Sequence, residues 1–296
     1  MQQIVQKLKA LNWRFVIKGV LAVIMLIPVL IVIGMAPIIN RPLYNWILFH
    51  PAKYPIGSDW NQKACGITPE DVYFKSDNGN KLHGLMYKLP GAKKIALISH
   101  GNAGNCLQRA FLAEKPLSND CSVFAYDYSG FGRSEGQPSL EGLTQDGDAA
   151  YNYLLSQNYK ADQIILFGES IGTLVSGELS RRHESAAVIL ECPLYSLRAR
   201  GCKILPYLGI YPQWLWMAPG TSFDNSTAFA KQHAPLLLIA GTADHLTPIA
   251  QSDQLFAEVS QPKEMIRIDG ASHGDSVMMG SQLYKDGLAE FMKKLK

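Results

Sequence analysis

The sequence predicts an α/β protein with a mostly parallel central sheet and helices on both of its faces. Two observations predict it. From Ile95 onward, short apolar runs that suit strands buried on both faces alternate with segments of helical periodicity, and strands spaced in that way are joined by right-handed helical crossovers. The chain of 296 residues, 47% hydrophobic and 18% charged, is also long enough for one large domain with a well-buried core.

A hairpin precedes the alternation: 72–74 and 82–87 read as strands joined through Asn78-Gly79, a strong two-residue turn signal. Residues 95–99 then read as a buried strand, 106–115 as a helix stopped by Pro116, and 122–128 as a second strand. Ser139 is placed to cap a helix reaching about Gln157. Strand 163–167 and helix 171–182 follow, then strands 187–190, 236–240 and 265–268, with a helix from Pro248 and a terminal helix. Residues 194–234 read as an irregular insertion rich in Leu205, Tyr207, Ile210, Trp214, Trp216 and Met217. It suits a short lid lining an apolar pocket or, equally, an ordinary capping helix with an inward face.

The amino terminus differs in kind. Residues 1–58 carry Lys7, Lys9, Arg14, Lys18, Arg41 and Lys53 and no acid, so a net charge of +3 over the chain leaves −3 on the remainder. A domain so balanced has no basic footprint for nucleic acid. Residues 19–39 are uncharged and mostly apolar, long enough to cross a bilayer as a helix despite Pro28 and Pro37. Four positive residues precede the segment and two follow it closely, which puts residues 1–18 in the cytoplasm and the bulk of the chain on the periplasmic, extracytoplasmic or lumenal side. A cleaved signal peptide is the rival; the apolar stretch exceeds a usual signal core, and Pro37 follows the small-residue end at Gly34-Met35-Ala36. Residues 40–70, with Tyr44, Trp46, Phe49, Tyr54 and Trp60, read as an aromatic juxtamembrane linker, and 71–296 as the folded domain. Cys65, Cys106, Cys121, Cys192 and Cys202 show no zinc-like pairing with histidines. In an exported domain Cys192 and Cys202 could pair, but free buried thiols fit the odd number better. Asn225-Ser226-Thr227 is a glycosylation acceptor only in a eukaryotic secretory pathway.

In sheets of this class the active site forms at the carboxyl ends of the strands. The run 164–167 breaks into Gly168-Glu169-Ser170-Ile171-Gly172, whose glycines permit a sharp strand-to-helix turn that lifts the Ser170 hydroxyl above the sheet. Alone, Gly-x-Ser-x-Gly is as often an ordinary tight turn. Its context is what raises it. Asp244 stands in Gly241-Thr242-Ala243-Asp244 after one strand, and His273 in a glycine-flanked loop after the next. Glu191, at the end of the strand following Ser170, is the competing acid. The chemistry follows from the parts: His273 takes the Ser170 proton as the oxygen attacks a carbonyl, and Asp244 holds the imidazole. His100-Gly101-Asn102-Ala103-Gly104-Asn105 brings backbone N–H groups near the same spot, and we assign the oxyanion donors to Asn102 and Ile171, with Ala103 as the alternative to Asn102. A glycine-rich turn is the plainer reading of that loop, and no Gly-Lys-Ser/Thr follows to make it a phosphate loop. This chemistry calls for no metal and no organic cofactor.

These motifs, with Asp127-Tyr128-Ser129-Gly130-Phe131-Gly132-Arg133-Ser134, resemble the α/β-hydrolase superfamily and, within it, the membrane-associated serine hydrolases called α/β-hydrolase domain 13 and 17 proteins. The resemblance covers residue 70 to the end and the amino-terminal anchor. The chain departs from the family at Ser129, where arginine is usual, and at Thr173, where a second glycine is usual. The resemblance implies an α/β-hydrolase fold and hydrolysis of esters or thioesters in small acyl, lipid-like or acylated-protein substrates, with membrane lipid as the partner of the anchor. A peptidase or amidase of the same fold, and a catalytically silent membrane-tethered scaffold, are the competing expectations.

Overall fold

The computed structural model describes residues 13–54, 63–216, 221–231, 234–260 and 262–295; most of the expected segment 1–18, together with Trp60, Met217 and His233, lies outside them. Its frame is an eight-stranded sheet in the order β10-β9-β8-β7-β4-β6-β3-β2. In chain order these strands are β2 (Glu70–Lys75), β3 (Lys81–Tyr87), β4 (Lys94–Ser99), β6 (Cys121–Tyr126), β7 (Ile164–Glu169), β8 (Ala187–Glu191), β9 (Leu236–Gly241) and β10 (Lys263–Ile268). Every neighbouring pair is parallel except those made by β3, which runs against both β2 and β6. The hairpin is closed by a five-residue loop, 76–80, rather than by a two-residue turn at Asn78-Gly79: the Gly79 N–H donates to Ser76 C=O at 2.9 Å, and Gly79 takes φ +89, a conformation that costs glycine nothing.

Alternation along the strands divides the core in two. Leu166, Val188, Leu190 and Leu238 point to one face and pack beneath helices α4 (Leu140–Ser156), α5 (Gly172–Arg182) and α8 (Ile249–Glu258). Ile165, Phe167, Ile189 and Ile239 point to the other, under α3 (Ala110–Leu117) and α10 (Ser281–Lys294). Both faces being apolar is why these strands read as unbroken hydrophobic runs. Ser139 caps α4, its hydroxyl accepting from the Gly142 N–H at 3.0 Å.

Several boundaries differ from expectation for visible reasons. The helix expected over 106–115 is a 3₁₀ turn at Leu107–Arg109 followed by α3, and it continues through Pro116 to Leu117. Lying within the last turn, Pro116 costs the helix a single N–H bond. Strand β6 stops at Tyr126 rather than Tyr128, because the buried Asp127 carboxylate turns to accept the Cys106 N–H at 2.7 Å. The apolar stretch 19–39 is divided between a helix and a turn: α1 spans Trp13–Gly34, and from Arg14 it is long and apolar enough to cross a membrane. Residues 35–39 instead turn onto the domain, where Ala36 is buried and the Ile38 N–H donates to Leu215 C=O at 2.8 Å.

The segment read as a linker is, where described, folded structure. Helix α2 (Arg41–Leu48) leads into β1 (His50–Pro51), which pairs with β5 (Ala103–Gly104). Phe49 is buried edge-on against Phe131, whereas Trp46 is 77% exposed. Only Trp46, of the described aromatics in this stretch, keeps the large exposure that a headgroup-layer residue would have. The insertion contains helix α6 (Leu197–Ile204), two 3₁₀ turns and the short helix α7 (Asn225–Ala228). All five cysteines are free thiols. Asn225 is 1% exposed and donates to Leu194 C=O at 2.8 Å, so in the folded chain it is no glycan acceptor.

Candidate active site

Steric crowding explains the turn after β7. Ser170 sits at φ +54, a strained position for a side chain with a Cβ. A Cβ on Gly172 would stand 1.9 Å from the Ser99 carbonyl oxygen, and one on Gly168 would stand 2.5 Å from that of Gly172. Neither site admits any larger residue without moving backbone. The turn is fastened from outside: the Ser170 N–H donates to Glu191 C=O at 3.0 Å, and the Thr173 hydroxyl donates to Ser170 C=O at 2.6 Å. Thr173, the departure from the family pattern, therefore supplies a bond that glycine could not. Ser129, the other departure, packs against the Asp146 carboxylate, its N–H donating at 2.6 Å and its hydroxyl at 3.1 Å.

Three side chains from three strand ends form one hydrogen-bonded series. His273 Nε2 lies 3.0 Å from Ser170 Oγ, and His273 Nδ1 lies 2.8 Å from Asp244 Oδ2. The loop after β9 is built around that carboxylate: Leu246 and Thr247 N–H groups donate to Oδ1 at 2.7 and 2.8 Å, and the Thr247 hydroxyl donates to Oδ2 at 2.6 Å. Burial alone would raise the Asp244 pKa, but the hydrogen bonds from His273 and Thr247 outweigh it and take the group from 3.8 down to about 2. It is therefore an anion at neutral pH, suited to fix the imidazole tautomer and stabilise its charged form. Glu191, the competing acid, is committed elsewhere. Its carboxylate accepts from Lys115 Nζ at 2.5 Å and the Tyr284 hydroxyl at 2.8 Å, all three side chains being buried.

Asn102 and Ile171 border Ser170 in one cavity, and among the described residues neither backbone N–H has an acceptor. The loop carrying Asn102 is held in place by its side chain, which donates to Leu48 C=O at 2.6 Å, and by Glu169, whose carboxylate accepts from the Gly101 N–H at 2.9 Å and Arg109 Nε at 3.2 Å. Ala103 pairs with His50 in β5. The cavity, about 290 Å³, is walled by Pro37, Tyr44, Ile47 and Leu48 from the amino-terminal segment and by Leu197, Arg200, Gly201 and Leu208 from the insertion. Sequence reasoning missed Glu169, Thr247, Arg200 and the whole of α2 as parts of this site. Glu169 lies inside the motif and Thr247 three residues beyond Asp244; only the fold shows which atoms they meet.

A second buried cluster lies under the loop. Asp127 is fully buried and accepts from Cys106 N–H and Tyr54, with His83 Nδ1 at 3.4 Å. Burial would raise its pKa, but contacts to His100 and His83 hold it well below the ordinary carboxylate value. His83, Cys106 and Asp127 offer ligand atoms within 4.8 Å of one another, as do Cys192, Asp244 and His273. Burial pushes the Cys192 thiol up to about 12 and the Cys106 thiol well above its ordinary value.

The comparisons with known proteins bear on this geometry. Alpha/beta hydrolase domain-containing protein 17B of Xenopus laevis is 33% identical over 239 residues, 79% of each chain, and its human counterpart is 32% identical over 241 residues, 80% of each. The chain belongs to the α/β-hydrolase superfamily. Within it, this hydrolase groups with the domain 17 proteins. Residues 90–218 match the family model described as serine aminopeptidase, S33. An uncharacterized protein of Mycobacterium tuberculosis is 30% identical over 251 residues, covering 83% of this hydrolase and 86% of that protein. An esterase of Pyrococcus furiosus has the same fold, with a TM-score of 0.67 at 22% identity, covering 83% of this hydrolase and 98% of that chain.

Proposed function

We propose that this hydrolase is a membrane-anchored serine esterase or thioesterase that acts on acyl substrates through Ser170, His273 and Asp244. The observation that carries the reading is the bridging imidazole, 3.0 Å from the serine oxygen and 2.8 Å from the carboxylate. As Ser170 Oγ bonds to the acyl carbon, its proton passes to His273 Nε2. The oxyanion is held by the N–H groups of Asn102 and Ile171, which have no other acceptor among the described residues. His273 then protonates the departing alcohol or thiol, leaving an acyl-serine. Water, losing its proton to Nε2, releases the acid and restores Ser170. An apolar cavity beside Ser170 favours an aliphatic acyl group.

Helix α1 serves in this reading as an uncleaved anchor. Residues just past its end are packed into the domain, since Ala36 is buried and Ile38 bonds the insertion. The amino terminus is placed in the cytoplasm and the domain across the membrane from it.

The family model's description raises a peptidase reading. An aminopeptidase holds a substrate ammonium with acids, and no carboxylate lines the cavity among the described residues. The deciding experiment is hydrolysis of para-nitrophenyl esters, acetyl to palmitoyl, by the full chain in uncharged detergent beside Ser170→Ala. A rate that vanishes in the variant supports acyl hydrolysis, and its chain-length optimum sizes the cavity. If wild type and variant are equal on esters, thioesters and amides alike, the reading fails and a scaffold role takes its place.

A further inference from the structure

The lid helix α6 turns one face to the cavity above Ser170. Leu197, Arg200, Gly201 and Ile204 line it at helical spacings of three, four and seven. Three of these positions suit an aliphatic ligand, and Gly201 is required because a Cβ there would stand 2.6 Å from the Trp216 ring. The fourth is an arginine. Among the described residues lining the cavity it is the one lysine or arginine, and no carboxylate stands beside it.

Other arginines near this region have partners. Arg41 pairs with Glu141 at 2.9 Å, Arg109 with Glu169 at 3.2 Å, and Arg198 donates to Gly209 C=O at 3.2 Å. The Arg200 guanidinium has neither ion pair nor hydrogen bond among the described residues. Asp224, the acid of the insertion, is occupied in capping α7 through Ser226 and Thr227. Arg200 is half-buried on this wall, and a guanidinium without a partner keeps its donors open to an anion that enters the cavity. Its planar fork of donors matches phosphate or carboxylate.

Arg200 and Ser170 line one cavity, so a single molecule can reach both. We propose that the substrate is a single-chain anionic amphiphile, an acyl ester or thioester whose chain lies along the apolar wall and whose phosphate or carboxylate, on the leaving group, is held by Arg200. The cavity, near the lower end of the ~300–1,000 Å³ usual for ligand sites, suits one chain rather than two. Water cleaves the acyl bond through the acyl-serine, releasing the fatty acid and an anionic alcohol or thiol. The inference rests on the serine-hydrolase reading above.

The test uses the full chain in uncharged detergent micelles and three octanoyl esters: of glycerol 3-phosphate, of glycolate and of glycerol. Wild type is expected to prefer an anionic ester over the neutral one by about tenfold or more in kcat/KM, chiefly through KM, the size of a charge-assisted hydrogen bond. The phosphate and carboxylate arms identify which anion is held. Arg200→Gln should collapse that ratio toward one, and Arg200→Lys should keep part of it. Fluorophosphonate labelling of Ser170 reports whether each variant retains a formed site. Equal wild-type rates on anionic and neutral esters overturn the inference, whatever the variants do. So does a ratio that Arg200→Gln leaves unchanged, or an effect of Arg200→Gln on the neutral ester that appears only when anionic lipid is added to the micelles, which would assign the arginine to the bilayer. If wild type cleaves none of the three and does not label, it is the serine-hydrolase reading that has failed; cleavage of the neutral ester without preference leaves that reading standing.

Discussion

The Tyr211 hydroxyl donates a 2.7 Å hydrogen bond to the Val32 carbonyl, joining residues 179 apart in sequence. Val32 lies in the last turn of the apolar helix, where carbonyls have no partner within the helix, and Tyr211 lies in the insertion. Ile38 and Tyr44 extend the junction, Ile38 bonding Leu215 and the Tyr44 hydroxyl lying 3.0 Å from that of Tyr207. Tyr211→Phe should lower the local stability of this junction by about 0.5–1.5 kcal/mol and speed amide exchange over 206–216, with exchange at Leu166 and Leu190 unchanged. Uniform acceleration over the whole domain would contradict a local tie.

Gly172→Ala should abolish fluorophosphonate labelling and cost more than the ~1–3 kcal/mol typical of an overpacked core. Its Cβ would meet the Ser99 and His100 carbonyl oxygens at 1.9 and 2.8 Å, and backbone is the costliest neighbour to move. A variant that labels at the wild-type rate would mean that the turn has slack absent from this geometry.

Asp244→Asn should leave the fold intact and lower kcat by about 10⁴-fold, the order expected when a triad carboxylate becomes an amide. A pH signature accompanies it. The Asp244 pKa is lowered on folding, so its contribution to stability is present above about 3.8 and is lost as pH falls toward 2, below which the group is protonated folded and unfolded alike. Denaturant titrations of wild type and variant at pH 6, 4 and 2 should show the wild-type advantage shrinking between the last two. An advantage constant down to pH 2 would mean the carboxylate is not held as described.

Glu191→Gln separates the two candidate acids. Removing its charge leaves Lys115 buried without a counter-ion, a loss of about 3–5 kcal/mol. Activity per labelled Ser170 should hold, because the side chain faces Lys115 and Tyr284 rather than His273. A variant of wild-type stability that loses turnover would reverse the assignment of the acid.

Cys65 reports topology, being the exposed thiol of the five. In intact cells a membrane-impermeant maleimide added outside should label it, and Cys65→Ser should abolish the signal. Labelling that needs permeabilised cells would exclude a domain facing the outside of the cell.

Part of the site is legible in the sequence because Ser170 and Asp244 follow buried apolar runs, whereas the strand before His273, Lys263–Ile268, is half-buried with Arg267 exposed. The cap at Ser139 is legible as well. What resists reading depends on which distant segments meet. Glu169 reads as a variable position in a motif until Gly101, 68 residues away, donates to it. Asp127 and His83 stand 44 residues apart before burial joins them. Helix α2 has an aromatic, half-polar composition that suits a headgroup layer as well as a pocket wall, and only the bond from Asn102 to Leu48 C=O shows the second.

That wall has a practical consequence. Tyr44, Ile47 and Leu48 border the cavity alongside the insertion, so the amino-terminal segment is part of the chamber beside Ser170. Trimming the chain past Leu48 would remove that wall and open the chamber on one side. Chain-length preferences recorded on a chain so trimmed would describe a wider vessel than the intact protein possesses.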